Sequence, residues 1–187
     1  MAPNLNEEEI DDLIYLSRAG EKDELTETLS SLSTRENVST AEILVAAKDE
    51  GKSTCLHMAA GNGHLEIVKL LIEQFDSRPK EEKQAYLDAP NEYGNTGLHW
   101  AALGGHLDMV KLLMENGASP VLANDKEYVP LDLAAQNGKF DVVNYFFAQS
   151  AGKEGENDGG LAESAGSVSI EDGDDAAEEA KDESKDA

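Results

Sequence analysis

Ser53-Thr54-Cys55-Leu56-His57-Met58-Ala59-Ala60-Gly61-Asn62-Gly63-His64-Leu65-Glu66-Ile67-Val68-Lys69-Leu70-Leu71 returns 42 residues later as Asn95-Thr96-Gly97-Leu98-His99-Trp100-Ala101-Ala102-Leu103-Gly104-Gly105-His106-Leu107-Asp108-Met109-Val110-Lys111-Leu112-Leu113. Small, apolar and charged positions stay in register. A third copy, Val129-Pro130-Leu131-Asp132-Leu133-Ala134-Ala135-Gln136-Asn137-Gly138-Lys139-Phe140-Asp141-Val142-Val143, follows after 33 more residues and ends in Asn144-Tyr145-Phe146-Phe147. Thr54 and Thr96 stand where a side-chain oxygen can cap a helix start. The alanine pair lets two helices approach closely. Gly63, Gly105 and Gly138 stop the first helix, because glycine tolerates the left-handed conformation of a helix end. Leucine, isoleucine and valine at helical spacing then supply the buried stripe of a second helix. One such pair cannot enclose its own apolar face, so the pairs must stack along one dimension and share a continuous core.

Outward from these copies the pattern weakens. Leu16-Ser17-Arg18-Ala19-Gly20-Glu21-Lys22-Asp23-Glu24-Leu25 places Gly20 at the helix-stop position, with Ile10, Leu13 and Ile14 at helical spacing before it. This predicts a polar-faced capping repeat. The 42-residue interval exceeds the 33-residue one by nine residues, and the excess falls in Asp76–Pro90, where it predicts a longer second helix or an added short one. Ser39-Thr40-Ala41-Glu42 has capping-box spacing ahead of Ile43-Leu44-Val45 and predicts a short helix in the first connection.

These residues resemble the ankyrin family, whose repeats carry Thr-Pro-Leu-His, two alanines, a Gly-His step and a Val-x-x-Leu-Leu helix. The match covers residues 8–149, with Cys55 and Gly97 in place of the usual proline and Asp132 in place of the third histidine. The resemblance implies an all-α solenoid of about four repeats. It divides the chain into a capping repeat and connection over 1–48, three repeats over 49–149 and an acidic tail over 150–187. It also implies a hairpin turn ahead of each repeat, at Asp49–Ser53, Asn91–Asn95 and Asn124–Tyr128. Only Gly94 stands at the family's glycine position in those turns; Lys52 and Glu127 replace it, so a departure from the ideal tight turn is expected at their tips.

Two full repeats reading Leu-His-Met-Ala-Ala and Leu-His-Trp-Ala, a weaker repeat on either side and an acidic C-terminal stretch are also similar to the fungal ankyrin-repeat chaperones dedicated to small-subunit ribosomal protein number three. That resemblance implies a monomeric binder of the basic, newly made ribosomal protein in cytoplasm and nucleus. It implies no catalysis, no cofactor, no membrane and no direct nucleic-acid contact. A regulatory adaptor or inhibitor that occludes another folded protein is the alternative reading.

Composition agrees with a basic partner. The chain carries 15 Lys and Arg against 39 Asp and Glu, a net charge of -24, which opposes attraction to phosphates and anionic membranes. No apolar run is long enough to span a bilayer, and the acidic start lacks the features of a signal peptide, so a soluble intracellular protein is expected. Residues 151–187 hold 13 acidic residues against 3 lysines, a net of -10, and the first 150 residues carry the other -14. With Leu161, Val168 and Ile170 as its only large apolar residues, the tail is expected to be disordered. Ser169-Ile170-Glu171-Asp172 fits the pattern of an acid-directed kinase site.

Chemistry at the histidines is unlike a metal centre. His57 to His99 and His64 to His106 are each one 42-residue repeat apart, so each imidazole fills a structural slot and is expected to hydrogen-bond between turns and repeats. Cys55 and His57 lie two residues apart at a helix start, with no set of oxyanion donors to make them a nucleophile and base. Gly61-Asn62-Gly63 is explained by the helix stop rather than by a phosphate loop. Trp100 shares its slot with Met58 and Leu133, which favours packing between repeats over partner contact. The candidate protein-binding residues are Asp49, Glu50, Glu92, Tyr93, Asp125, Glu127 and Tyr128 on the hairpin tips. Asn62, Leu103 and Gln136 lie behind them on the first helices.

Overall fold

The computed structural model of the chain describes residues 2–154. Of the tail expected to be disordered over 150–187, residues 150–154 instead continue the last helix, and the rest, with Ser169, lies outside the described residues. Among those described, ten helices follow one another: α1 (Glu7–Ala19), α2 (Lys22–Glu36), α3 (Thr40–Ala46), α4 (Cys55–Asn62), α5 (Leu65–Glu73), α6 (Lys80–Leu87), α7 (Gly97–Gly104), α8 (Leu107–Glu115), α9 (Pro130–Gln136) and α10 (Phe140–Glu154). Four antiparallel pairs, α1–α2, α4–α5, α7–α8 and α9–α10, are the repeats, and α3 and α6 are short insertions.

Helix starts follow local chemistry. Asn6 Oδ1 accepts the Glu9 N–H at 2.9 Å while Glu9 Oε2 accepts the Asn6 N–H at 3.0 Å, a closed capping box. The box expected at Ser39 and Glu42 is present and opens α3. At α4 and α7 the imidazole takes the part of the usual glutamate: His57 Nδ1 accepts the Thr54 N–H at 3.0 Å and His99 Nδ1 accepts the Thr96 N–H at 3.1 Å. The threonine hydroxyls, read from the sequence as the caps, meet the same ring nitrogens at 2.9 and 3.0 Å. In the fourth pair, Asp132 Oδ2 accepts the Val129 N–H at 2.9 Å, so the carboxylate does what histidine does elsewhere.

An Nδ1 that accepts leaves the ring proton on Nε2, which is then free to donate. His57 Nε2 donates to the Asn95 carbonyl at 2.9 Å and His99 Nε2 to the Tyr128 carbonyl at 3.0 Å, each reaching the next repeat's hairpin. His64 and His106 reach backward instead, donating to the carbonyls of Arg18 at 2.7 Å and Gly61 at 3.0 Å. All four histidines thus bond between repeats.

The nine-residue excess is taken up by a separate helix, α6. It is held by its buried Tyr86 and Leu87, with the Tyr86 ring stacked on Phe75 at 4.6 Å between centroids. Leu13, Leu25, Ile43, Leu56, Ile67, Leu71, Leu98, Met109 and Leu113 are buried in one core that runs through the repeats.

The hairpin turns are alike despite their different sequences. Asp49, Asn91 and Asn124 each donate their N–H to the carbonyl of the residue four positions on, at 3.0, 2.9 and 3.0 Å. Their side-chain oxygens also accept backbone N–H groups of the same turn. The left-handed residue is Lys52 (φ 59°), Gly94 (φ 74°) or Glu127 (φ 63°). The expected departure at Lys52 and Glu127 is therefore not seen. Side-chain closure and bonds between tips over-determine the turn, so a non-glycine residue is held where it would not choose to sit.

Two outcomes follow from this geometry. Burial lowers the pKa of His57 and His99 below the ordinary 6.5, so the unfolded chain takes up protons first as pH falls. Stability present above about pH 6.5 is then lost below it, whereas Glu9, held down to about 2 by its bond to Arg35, keeps its full contribution to about pH 4.5 and loses it between there and about 2. Thermal melts at pH 7.5 and about 5.5 should show a fall in midpoint that His57→Gln and His99→Gln reduce in size; a midpoint flat over this range would refute it. Glu127→Gly should raise stability by about 0.5–1 kcal/mol in chemical denaturation, by removing the left-handed strain. A loss of stability would show that the glutamate side chain holds the tip.

Candidate protein-binding surface

Close contact runs along the first helices of the pairs, α1 to α4, α4 to α7 and α7 to α9, while α5 packs mainly on its own partner and α2 on both α1 and α3. These short first helices form the inner row of the array, next to the hairpin tips. Aligned on their terminal glycines, the inner helices place Tyr15, Met58, Trp100 and Leu133 at one register position. Arg18, Gly61, Leu103 and Gln136 share another, three residues on.

The tips form a continuous rim. The Glu92 N–H donates to the Gly51 carbonyl at 2.8 Å and the Asp125 N–H to the Tyr93 carbonyl at 3.0 Å, so three turns are laced into one backbone ladder. Asn124 Nδ2 adds a bond to Asn95 Oδ1 at 2.8 Å. Glu50, Glu92, Asp125, Glu127 and Tyr128 are exposed on this rim, and Tyr93 is 62% exposed. Asp49 is half-buried, and its Oδ1 accepts the Ser53 N–H at 2.7 Å, so one oxygen serves the turn and the other is left for a partner. Asn62 and Gln136 are exposed and Leu103 half-buried on the inner row behind the rim; Asn62 Nδ2 donates to the Met58 carbonyl at 2.8 Å.

Tertiary structure adds residues that the repeat pattern missed. A hollow of about 730 Å³ opens between α1 and the first tip, lined by Glu7, Ile10, Asp11, Lys48, Asp49, Glu50 and Gly51. Four carboxylates surround a single lysine there, an arrangement that favours a cationic segment. Tyr15, 65% exposed, stands at the start of the inner apolar row. Its signal in the sequence was its register with Met58 and Trp100, legible only once the weak first repeat is aligned.

Trp100 is half-buried and its ring lies across Gly61 of the preceding repeat; a Cβ there would sit 3.4 Å from ring carbon Cε3. Packing between repeats is thus its role, as its slot suggested. Cys55 is fully buried, and burial pushes its thiol up to about 11, which leaves almost no thiolate for nucleophilic chemistry near neutral pH. Both ring nitrogens of His57 are already engaged. Among the described residues no group of three His, Cys, Asp or Glu is placed to hold a metal ion.

Helix pairs joined by laced hairpins, with imidazoles bonded from repeat to repeat, agree with what the family of ankyrin repeats (3 copies) matches: residues 10–123 and again 80–157. The chain belongs to the ankyrin-repeat family. It is 38% identical over 144 residues to the Ankyrin repeat-containing protein YAR1 of Saccharomyces cerevisiae, an alignment spanning 76% of this chain and 70% of that one. Among solved structures it is similar to the crystal structure of the yeast ribosomal protein Rps3 in complex with its chaperone Yar1. The TM-score is 0.72 at 37% identity, covering 78% of this chain and 95% of that chain.

The Trp100–Gly61 contact sets a size limit on the inner row of this ankyrin array. Gly61→Ala should be tolerated, whereas Gly61→Ile should cost about 1–3 kcal/mol through displacement of the ring. Thermal melts together with Trp100 emission check this. Equal stability of the two variants would show that the ring has room to move.

Proposed function

We propose that this chain is a non-enzymatic, stoichiometric chaperone of the small-subunit ribosomal protein Rps3, holding a basic segment of it against the inner helices and the acidic rim. The observation that carries the reading is the likeness, at 37% identity over nearly the whole of that chain, to a structure described as Rps3 in complex with its chaperone. The physical character of the surface supports it. Asp49, Glu50, Glu92, Asp125 and Glu127 line the tips, the hollow beside α1 adds Glu7 and Asp11, and the first 150 residues carry -14. A ribosomal protein that will bind RNA is rich in Lys and Arg and lacks its counter-charge until assembled. An acidic surface supplies that charge, speeds encounter and competes with premature RNA contacts.

Tyr93, Tyr128 and Tyr15 give the surface aromatic contacts beside its charge, the combination that dominates protein interfaces. The backbone ladder between tips keeps them in fixed register, so little ordering cost falls on binding. The exposed carboxylates act through long-range attraction, which ions screen over about 8 Å at physiological ionic strength.

The test is a titration of this chain with Rps3 of the same organism, at low and high salt, beside a Glu92→Lys/Asp125→Lys variant. Wild type should keep Rps3 soluble at equimolar ratio and bind more weakly as salt rises. The variant should lose about ten-fold or more in affinity at low salt while keeping its thermal midpoint. Salt-independent binding would overturn the electrostatic account. Failure to bind Rps3, with recovery of another folded protein from cells, would replace the chaperone by an adaptor.

A further inference from the structure

Each repeat in this array covers the end of the one before it, and among the described residues nothing covers the last. Gly20, Gly63, Gly105 and Gly138 all sit in the left-handed conformation, with φ of 82°, 77°, 78° and 66°. A Cβ on Gly20 would lie 2.7 Å from the His64 ring, on Gly63 2.9 Å from the His106 ring, and on Gly105 2.6 Å from Lys139 Cδ. At Gly138 no described residue stands within 4 Å. The alanine position tells the same story: Ser17, Ala60 and Ala102 are buried, and Ala135 is exposed. The carbonyls of Arg18 and Gly61 receive an imidazole N–H; among the described residues no side chain donates to the equivalent carbonyls of Leu103 and Gln136, and of these two only Leu103 has a following repeat beside it.

The outer helix agrees. Phe140 occupies the register of Leu65 and Leu107, which are half-buried, yet it is 71% exposed. Phe147 occupies the register of Ile72, which is 5% exposed, and is itself 59% exposed. Seven residues apart, the two phenylalanines share one face of α10. The opposite end of the array is closed by polar groups: Arg35 pairs with Glu9 and Glu36, and Glu36 accepts the Asn4 N–H at 2.8 Å. Solenoids need polar caps at both ends to stay apart in water, and the described residues form only the first.

We infer that the open C-terminal end is a second contact for the ribosomal-protein client: a lysine or arginine stem lies over Gly138 and donates to the Gln136 carbonyl, with neighbouring apolar side chains on Phe140 and Phe147. The inference rests on the chaperone reading above. Two observations choose this occupant. The equivalent slot over Gly105 is filled by the aliphatic stem of Lys139, so a slot of this shape takes a lysine. Charge decides against the other occupants, since a second copy brings the same acidic body and the chain's own residues 151–187 carry -10, whereas the client is basic.

The experiment measures Rps3 affinity of the full chain, of Phe140→Ser/Phe147→Ser and of Gly138→Asn. The serines replace exposed rings. Asparagine tolerates the left-handed conformation and projects into open space, so it fills the slot without touching the fold. Both variants should keep the wild-type thermal midpoint and lose about ten-fold in affinity. If the serine variant does not fold, Gly138→Asn carries the test alone. Binding within two-fold of wild type, while Glu92→Lys/Asp125→Lys weakens it, would confine the client to the inner surface and overturn this inference alone. Absence of Rps3 binding by the wild type would instead overturn the chaperone reading. A dimer of the wild type that Phe140→Ser/Phe147→Ser abolishes in light scattering would assign the face to a second copy. Faster hydrogen exchange in α10 on removal of 155–187 would assign it to the chain's own tail.

Discussion

The imidazole rings of His57 and His99 carry the constraint on which the array depends. Each ring accepts a backbone N–H at its own helix start and donates to a hairpin carbonyl of the following repeat. Both rings are buried, so losing either bond leaves polar backbone without water to replace it, at a cost of about 1–3 kcal/mol per group. One side chain therefore fixes helix start, hairpin position and spacing between repeats together. His64 and His106 complete the stitching from the other side of the helix stop, over glycines that leave room for the ring.

An array stitched this way transmits order only between neighbours. The consequence for binding is a rim whose tips cannot move independently, because Glu92 and Asp125 are tied by their backbone to the tips before them. Their carboxylates take no part in the lacing, which uses main-chain groups. Rigidity and charge thus come from different atoms of the same residues, and a cationic segment meets a preformed surface rather than one that must be ordered. The ends of the array differ for the same nearest-neighbour reason: the last repeat has no successor among the described residues, and its Gly138 slot and its Phe140 and Phe147 rings are exposed.

Much of this was legible beforehand. The glycine stops, the paired helices, the capping box at Ser39, the weak first repeat around Gly20 and the structural place of the histidines all follow from local spacing. Local rules misjudged the turns at Lys52 and Glu127, because the closure that holds them left-handed includes bonds to a neighbouring tip. They also assigned the caps of α4 and α7 to threonine alone, where the imidazole does much of the work. The acidic hollow was invisible, since Glu7 and Asp11 come from α1 while Asp49 and Glu50 come from the first tip.

The sequence by itself determined the repeat, its period and its sign of charge, because helix stops, alanine pairs and apolar stripes are local properties read within one or two turns of chain. Only the tertiary structure decided which faces remain in water. Exposure at Tyr15, Phe140 and Phe147 depends on whether a neighbour stacks there, and stacking is a relation between residues far apart in the chain, set by packing rather than by spacing.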